Sequence, residues 1–300
     1  MGLTAIVLGA AAGGGFPQWN CNCDVCRLAW AGDPRVRPRT QSSLAVSAGA
    51  QRWTLLNASP DLRAQIQAAL ALHPREGRRG SPIDGVVLTG AEIDQTAGLL
   101  SLRERSPFNV IATAATLAAV AGNPMFGVLA AGVVSRRAVA PGEKFALDGG
   151  MQAELFMVPG KLPLYLEGED PETAAESAAN VGVELTCGKT RLAYVPGAAA
   201  VTPALRERLA RADVVLFDGT LFTDDEMIRT GTGAKPGRRM GHMPIDGEGG
   251  SLDALEGLSA RKIFVHINTT NPILVEGSPE RRRVEAAGWE VAFDGMEIVL

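Results

Sequence analysis

The sequence predicts an α/β protein of one domain, with β-sheets covered by helices. Three observations predict it. Short, continuously apolar runs that end in glycine, such as "IDGVVLTG" and "DVVLFDG", have the length and punctuation of buried strands. Segments with helical patterning, such as "PDLRAQIQAALAL" and "PALRERLARA", stand between such runs. The alternation continues through both halves, with few Greek-key spacings and no repeat.

From the N-terminus, "TAIVLG" reads as a strand whose Leu3, Ala5 and Val7 share one face. The glycines that follow do not open a helix, which disfavours a dinucleotide fingerprint; they let the backbone turn tightly or pass close to another group. "SSLAVSAG" and "RWTLLNAS" form a strand pair around Gly49. The helix "PDLRAQIQAALAL" has Ser59 as N-cap and Pro60 in its first turn. "IDGVVLTG", "AGLLSLRER" and "FNVIAT" read as strand, helix and strand. In the second half, "AELFMVPG" is a strand and "VGVELTCGKTRLAYVPG" a hairpin turning at Gly188. Its "GKT" is no phosphate loop, because Val183 stands where a glycine is needed and no helix follows. Cys187 beside it reads as a small buried hydrophobe. The helix "PALRERLARA" and strand "DVVLFDG" follow, then the helix "LDALEGLSA", the strand "KIFVHI", the helix "PERRRVEAAG" and a closing strand pair in "WEVAFDGMEIVL". The stretches 167–179 and 229–241 read as exposed loops, neither long enough to bound a domain, so residues 1–300 form one domain.

With 300 residues, 46% of them hydrophobic, the chain can bury a sizeable core. A net charge of −4 and the lack of a basic stripe interleaved with aromatics exclude an electrostatic nucleic-acid binder. Val110 to Val134 carries no charge over a span that could cross a bilayer. It is rich in Ala and Gly and is cut at Gly122–Pro124, so two short core helices joined by a turn are expected, and no membrane. The apolar N-terminus lacks the positive region of a signal peptide, which points to a reducing, cytoplasmic compartment.

Three of the four cysteines, Cys21, Cys23 and Cys26, fall within six residues. C-x-C-x-x-C offers three thiolates on one tight loop, and Zn²⁺ asks for four ligands. A fourth from elsewhere in the chain would make the loop a structural clip; reduced, metal-free thiols are the alternative. Among three histidines, His73 reads as a surface residue, whereas His242 lies among Gly, Met and Pro and His266 ends a strand. Glu92, Asp94 and Gln95 follow the strand that ends at Thr89, and Asp218 follows another. Each has a plain structural reading: a hydrogen-bonded histidine, helix-start acids, a turn aspartate. Together, Asp94, Asp218, His242 and His266 sit at the ends of predicted buried strands. Two histidines with one or two carboxylates form the ligand set of non-haem iron oxygenases.

The stretches "TGAEIDQ", "GFPQWNCNCDVC", "AEIDQTAGLL", "GNPMFG", "GHMPI" and "HINTTNPIL" resemble the metallo-β-lactamase superfamily, and within it the B family of pyrroloquinoline quinone (PQQ) biosynthesis proteins. The superfamily's metal loop is T-H-x-H-x-D-H. Thr89 and Asp94 match it, while Gly90, Glu92 and Gln95 replace its histidines. Ala198 stands where a later aspartate is expected, and His266 keeps the terminal histidine. The resemblance implies an αββα sandwich, a structural zinc on the cysteines, and an Fe²⁺- and O₂-dependent hydroxylation of the tyrosine ring in a peptide-derived Glu–Tyr unit. The related branch has its fourth zinc ligand at the position of Thr269; Asn268, Asn271 or a water are the candidates here. Asp94, His242 and His266 would hold the iron, with Asp218 or Glu92 as ligand or base. Gln18, Trp19, Glu92, Gln95, Arg238 and Arg239 are the expected substrate contacts, the arginines meeting carboxylates. The reading leans to an enzyme. The alternatives are a carrier of PQQ or its precursor towards the periplasm and, weakened by the missing histidines, a hydrolase. Other pathway proteins and a second copy of the chain are the expected macromolecular partners.

Overall fold

The computed structural model of the protein describes residues 2–167, 173 and 175–300. Fourteen strands among these residues form two seven-stranded sheets. The first contains β1 (Leu3–Gly9), β2 (Ser43–Ala48), β3 (Trp53–Leu56), β4 (Ile83–Val87), β5 (Phe108–Ala112), β6 (Val134–Ala138) and β14 (Glu297–Val299), in the order β14-β1-β2-β3-β4-β5-β6. The second contains β7 (Lys144–Ala146), β8 (Gln152–Pro159), β9 (Glu176–Cys187), β10 (Thr190–Val195), β11 (Val214–Asp218), β12 (Arg261–Val265) and β13 (Trp289–Val291), in the order β13-β12-β11-β10-β9-β8-β7. The α-helices are α1 (Asp24–Trp30), α2 (Leu62–Ala68), α3 (Ile93–Thr96), α4 (Ala114–Ala121), α5 (Pro203–Leu209), α6 (Glu226–Arg229), α7 (Ser251–Ala254) and α8 (Pro279–Ala286).

Strand alternation builds the layers. Leu3, Ala5 and Val7 of β1 and Val214 and Leu216 of β11 belong to one core cluster between the sheets. Ile6 and Leu8 point the other way, into a cluster with Leu62 of α2. Val215 and Phe217 of β11 point outward too, onto Leu205 and Leu209 of α5 and Val284 of α8. The central strands are thus covered on both faces, and the result is the αββα sandwich.

Several elements differ from expectation. The "WEVAFDGMEIVL" segment is not a strand pair: β13 joins β12 and β14 joins β1, in different sheets. Ala292 N–H donates to Phe264 O and Gly295 N–H to Val7 O, so the chain crosses between the sheets within four residues. Helix α2 starts at Leu62 rather than at Ser59, whose hydroxyl instead donates to Gln65 Oε1. "AGLLSL" is 3₁₀ and "LDALEGLSA" contributes one turn of helix. The apolar stretch from Val110 to Val134 is divided among β5, α4, a 3₁₀ turn and the start of β6. No helix among the described residues is long and apolar enough to cross a membrane. Of the expected loop 167–179, residues 168–172 and 174 lie outside the described ones, and Glu176 to Ala179 belong to β9.

Strands β3 to β6 run parallel, as do β10 to β13. The candidate chemistry gathers beyond the C-terminal ends of β4, β11 and β12, where parallel sheets present ligand sites.

Candidate metal centre and cleft

Asp218 is the last residue of β11 and is fully buried. His266 follows β12 directly, with a φ of 54° that places it in the left-handed region. A non-glycine residue is held there at a cost, and such residues cluster at functional sites. His242 follows Gly241, itself left-handed, and the next residue is fixed by a Met243 N–H to Ala198 O bond of 2.7 Å. Asp94 lies in α3, a single turn that follows the β4 loop.

These four side chains meet. His266 Nε2 is 2.8 Å from Asp94 Oδ2, and His242 Nδ1 is 2.7 Å from Asp218 Oδ2. The two imidazoles stack with centroids 5.1 Å apart. Burial pushes both Asp94 and Asp218 upward, but the bonds to and charges of the histidines outweigh it and hold both carboxyls below the usual range. For His266, burial disfavours the charged ring, yet the Asp94 bond and charge leave its pKa raised. Ala198, where the superfamily pattern expects an aspartate, donates its backbone N–H to Asp218 Oδ2 at 2.9 Å.

Asp218, His242 and His266 place one donor atom each within 4.8 Å of one another. Imidazole and carboxylate donors of this kind suit zinc or iron, so the residues fit a metal ion. Gly13 passes close by: a Cβ there would lie 3.6 Å from Asp94 Oδ2. Asp94, His242 and His266 open onto a cleft of about 550 Å³, with Asp218 buried behind them.

The other predicted residues divide. Glu92 lines the cleft but faces its wall, accepting from Leu164 N–H at 3.1 Å and Lys161 Nζ at 3.3 Å. Gln95 lines it too, buried, with Oε1 turned back to Glu92 N–H at 3.3 Å. Neither joins the donor cluster. Arg239 lines the cleft beside Glu167, at 3.9 Å. Arg238 does not: its guanidinium donates to Glu248 O at 2.7 Å, in a separate surface cavity. Gln18 and Trp19 also lie outside the cleft lining. Gln18 is half-buried, its side chain against Gly14 at the cleft edge and its amide donating to Asn20 Oδ1 at 3.0 Å, whereas Trp19 is 84% exposed.

Cys21, Cys23 and Cys26 are all reduced, with sulfurs within 4.8 Å of one another. Burial raises the Cys23 thiol. Cys26 Sγ is 2.7 Å from Thr269 Oγ1, and Cys23 Sγ is 3.8 Å from Thr269 O. Three soft donors with an oxygen beside them fit zinc. Asn271 instead donates to Gly219 O, and Asn268 to Thr270 Oγ1, so neither asparagine turns to the sulfurs.

Sequence reasoning missed Thr220, whose hydroxyl touches both histidines and Asp218, and Lys161, which bridges Glu92 and Glu167. The only signals were a threonine two residues past Asp218 and a lysine just beyond an apolar strand.

Residues 52–267 match the beta-lactamase superfamily domain. Over 99% of its length the chain is 56% identical to the whole of the coenzyme PQQ synthesis protein B of Methylobacterium nodulans. The chain belongs to the coenzyme PQQ synthesis protein B family. The Rhizobium meliloti member is also 56% identical, over 99% of this chain and 98% of its own. The crystal structure of Zn²⁺-bound PqqB from Methylobacterium extorquens superposes with a TM-score of 0.97 at 54% identity, covering 99% of this chain and 100% of that one. A diphosphatase of the PhnP family shares the fold, with a TM-score of 0.70 at 23% identity over 100% of this chain and 98% of that one.

Proposed function

We propose that this chain serves PQQ biosynthesis as an iron-dependent oxygenase that hydroxylates the tyrosine ring of a peptide-derived Glu–Tyr precursor. The observation that carries the reading is the pairing of Asp94 with His266 and of Asp218 with His242 at the base of one cleft. The three histidines of the superfamily's two-metal loop are replaced by Gly90, Glu92 and Gln95, and Gln95 is turned away, which favours a single ion.

Asp94, His242 and His266 would hold Fe²⁺, with Asp218 as a further ligand or base. Iron bound there supplies activation of O₂. The chain supplies the rest. Ala198 N–H and Thr220 N–H fix the Asp218 carboxylate from two sides. The cleft also presents Lys235, a cation suited to substrate carboxylates, beside Lys161 and Arg239, which face Glu92 and Glu167, and Met227, Met240 and Leu164, apolar surface suited to a phenol ring. Zinc on Cys21, Cys23 and Cys26 has a structural role. The protein works in the cytoplasm.

The test is metal analysis and turnover of protein purified without oxygen and given ferrous iron, as wild type and Asp94→Ala. Iron beside zinc, lost in the variant together with oxygen-isotope incorporation from O₂ into the ring, supports the oxygenase. Zinc without iron in either protein overturns it. A second reading, carriage of PQQ or its precursor, draws on the mutual pairing of the four site residues. Tight PQQ binding with no turnover under any iron or oxygen condition would favour it.

A further inference from the structure

Asn268 lines the cleft, half-buried, and all but one of its polar atoms have fixed partners. Its N–H donates to Thr220 O at 3.0 Å, and its carbonyl accepts from Asn271 N–H at 3.0 Å. Its side-chain Nδ2 is 2.6 Å from Thr270 Oγ1 and 3.1 Å from Met227 Sδ. The Thr270 hydroxyl donates to Glu226 Oε1, so towards Asn268 it accepts. A thioether sulfur can only accept. Both neighbours therefore take N–H groups, and the amide cannot turn over without setting its oxygen against them. Oδ1 is left with no partner among the described residues, and it is open to the cleft rather than sealed in protein.

Met227 stands between this acceptor and a cation. Its sulfur faces the Asn268 amide, while Thr232 N–H and Gly233 N–H donate to its carbonyl at 3.0 and 3.1 Å. A Cβ on Gly233 would lie 3.0 Å from Met227 Cε. The loop packed on Met227 thus brings Lys235 into the cleft lining beside Asn268. Lys161 is held by Glu92 and Glu167, whereas Lys235 forms no hydrogen bond or ion pair among the described residues. An ammonium and a fixed carboxamide oxygen, one on each side of a thioether, complement the carboxylate and the ammonium of an amino-acid head group.

We propose that Lys235 and Asn268 form a head-group subsite for an α-amino acid ligand: Lys235 meets its carboxylate, Asn268 Oδ1 accepts from its ammonium, and Thr270 is the positioning residue that turns the amide. The inference deepens the reading of the cleft as the site of a tyrosine-bearing substrate and rests on it. A ligand without the ammonium would cover Oδ1 and leave it unpaired, which is how a polar site rejects an analogue most strongly.

The test is NMR titration with three probes: L-tyrosine, tyramine, which lacks the carboxylate, and hydroxyphenylpropionate, which lacks the ammonium. The protein is given zinc at its three thiols alone, so that no head group can chelate a metal at the histidines. Titrations are run above the Glu226 pKa of about 7, where its carboxylate accepts from Thr270. Wild type is expected to bind L-tyrosine about tenfold or more tighter than either analogue, as for a hydrogen bond to a charged group. Asn268→Leu is expected to lose the preference over hydroxyphenylpropionate and to keep that over tyramine; Lys235→Met is expected to do the reverse. Thr270→Val, which keeps Asn268 but frees its amide, should behave as Asn268→Leu does, and Thr270→Ser as wild type. A wild-type protein that binds none of the probes, or all three alike, overturns the proposal whether or not any variant folds. So do variants that weaken all three probes by one factor. Discrimination by head group in a protein that shows no iron-dependent turnover keeps the subsite and removes the oxygenase reading instead.

Discussion

Cys26 Sγ and Thr269 Oγ1 lie 2.7 Å apart, although 243 positions separate them in the chain. Thr269 is three residues past His266, so the thiol loop braces the segment that carries a candidate iron ligand. Cys26→Ser is expected to abolish zinc retention and lower the melting temperature, because a structural metal contributes folding energy outright. Chelation of wild-type protein should give the same loss, and added zinc should reverse it only in wild type. Metal analysis and thermal unfolding check both. A Cys26→Ser protein that keeps its zinc would separate this loop from the metal.

Asp94 and His266 form a largely buried pair. Asp94→Asn keeps the shape and removes the charge. It is expected to lose iron while keeping zinc, and to destabilise the metal-free protein by about 1–3 kcal/mol, since His266 loses its carboxylate partner. Metal content and denaturant unfolding without metal measure these separately.

Gly98 allows a backbone approach that no side chain tolerates. A Cβ there would stand 2.1 Å from Ser59 O. Gly98 N–H donates to Ala58 O at 2.8 Å, and Ala58 N–H to Gln95 O at 2.7 Å, so the same contact seats the turn that carries Asp94. Gly98→Ala is expected to cost about 1–3 kcal/mol and to weaken iron retention as well. Unchanged unfolding would show that the 58–59 segment yields freely.

Glu226 is buried at the start of α6, accepting from Phe222 N–H at 2.6 Å and from Thr270 Oγ1 at 2.5 Å. Burial, only partly offset by these bonds, pushes its pKa from 4.5 to about 7. The folded protein therefore holds this proton more tightly than the unfolded chain. Its contribution is full below about pH 4.5 and is lost as the pH rises to about 7, by about 3 kcal/mol in all. Glu226→Gln should flatten the fall in stability between pH 5 and 7 relative to wild type. Urea unfolding at several pH values measures the difference in slope; parallel curves would remove Glu226 as the cause.

Much of the fold was legible because its signals are local. The alternation in β1 and the apolar runs of β4, β11 and β12 mark strands whatever surrounds them, since side chains of a strand point alternately to two layers. The edges were less legible. Residues 134–138 and 144–146 form β6 and β7 with little apolar pattern, because β6 buries only Val134. The segment from Trp289 to Leu300 has the local look of a hairpin. Its two strands pair with β12 and β1 because those edges offer free backbone groups in different sheets.

The sequence by itself determined an α/β domain of helix-covered sheets, the cysteine triplet and the placing of Asp94, Asp218, His242 and His266 at strand ends, because strand ends and motif spacing are written along the chain. The αββα arrangement was what the family resemblance implied. Only the tertiary structure decided which neighbours share their chemistry. Glu92 carries a carboxylate as good on paper as that of Asp94, yet it is drawn to Leu164 and Lys161, and the amide of Gln95, a poorer ligand, turns back to Glu92 N–H. Arg238 and Arg239 are adjacent and face different cavities. Thr220 gained its place only when β11, β12 and the 242 loop converged on one hydroxyl. The direction of a side chain depends on partners distant in sequence, and that is information which residue order alone does not hold.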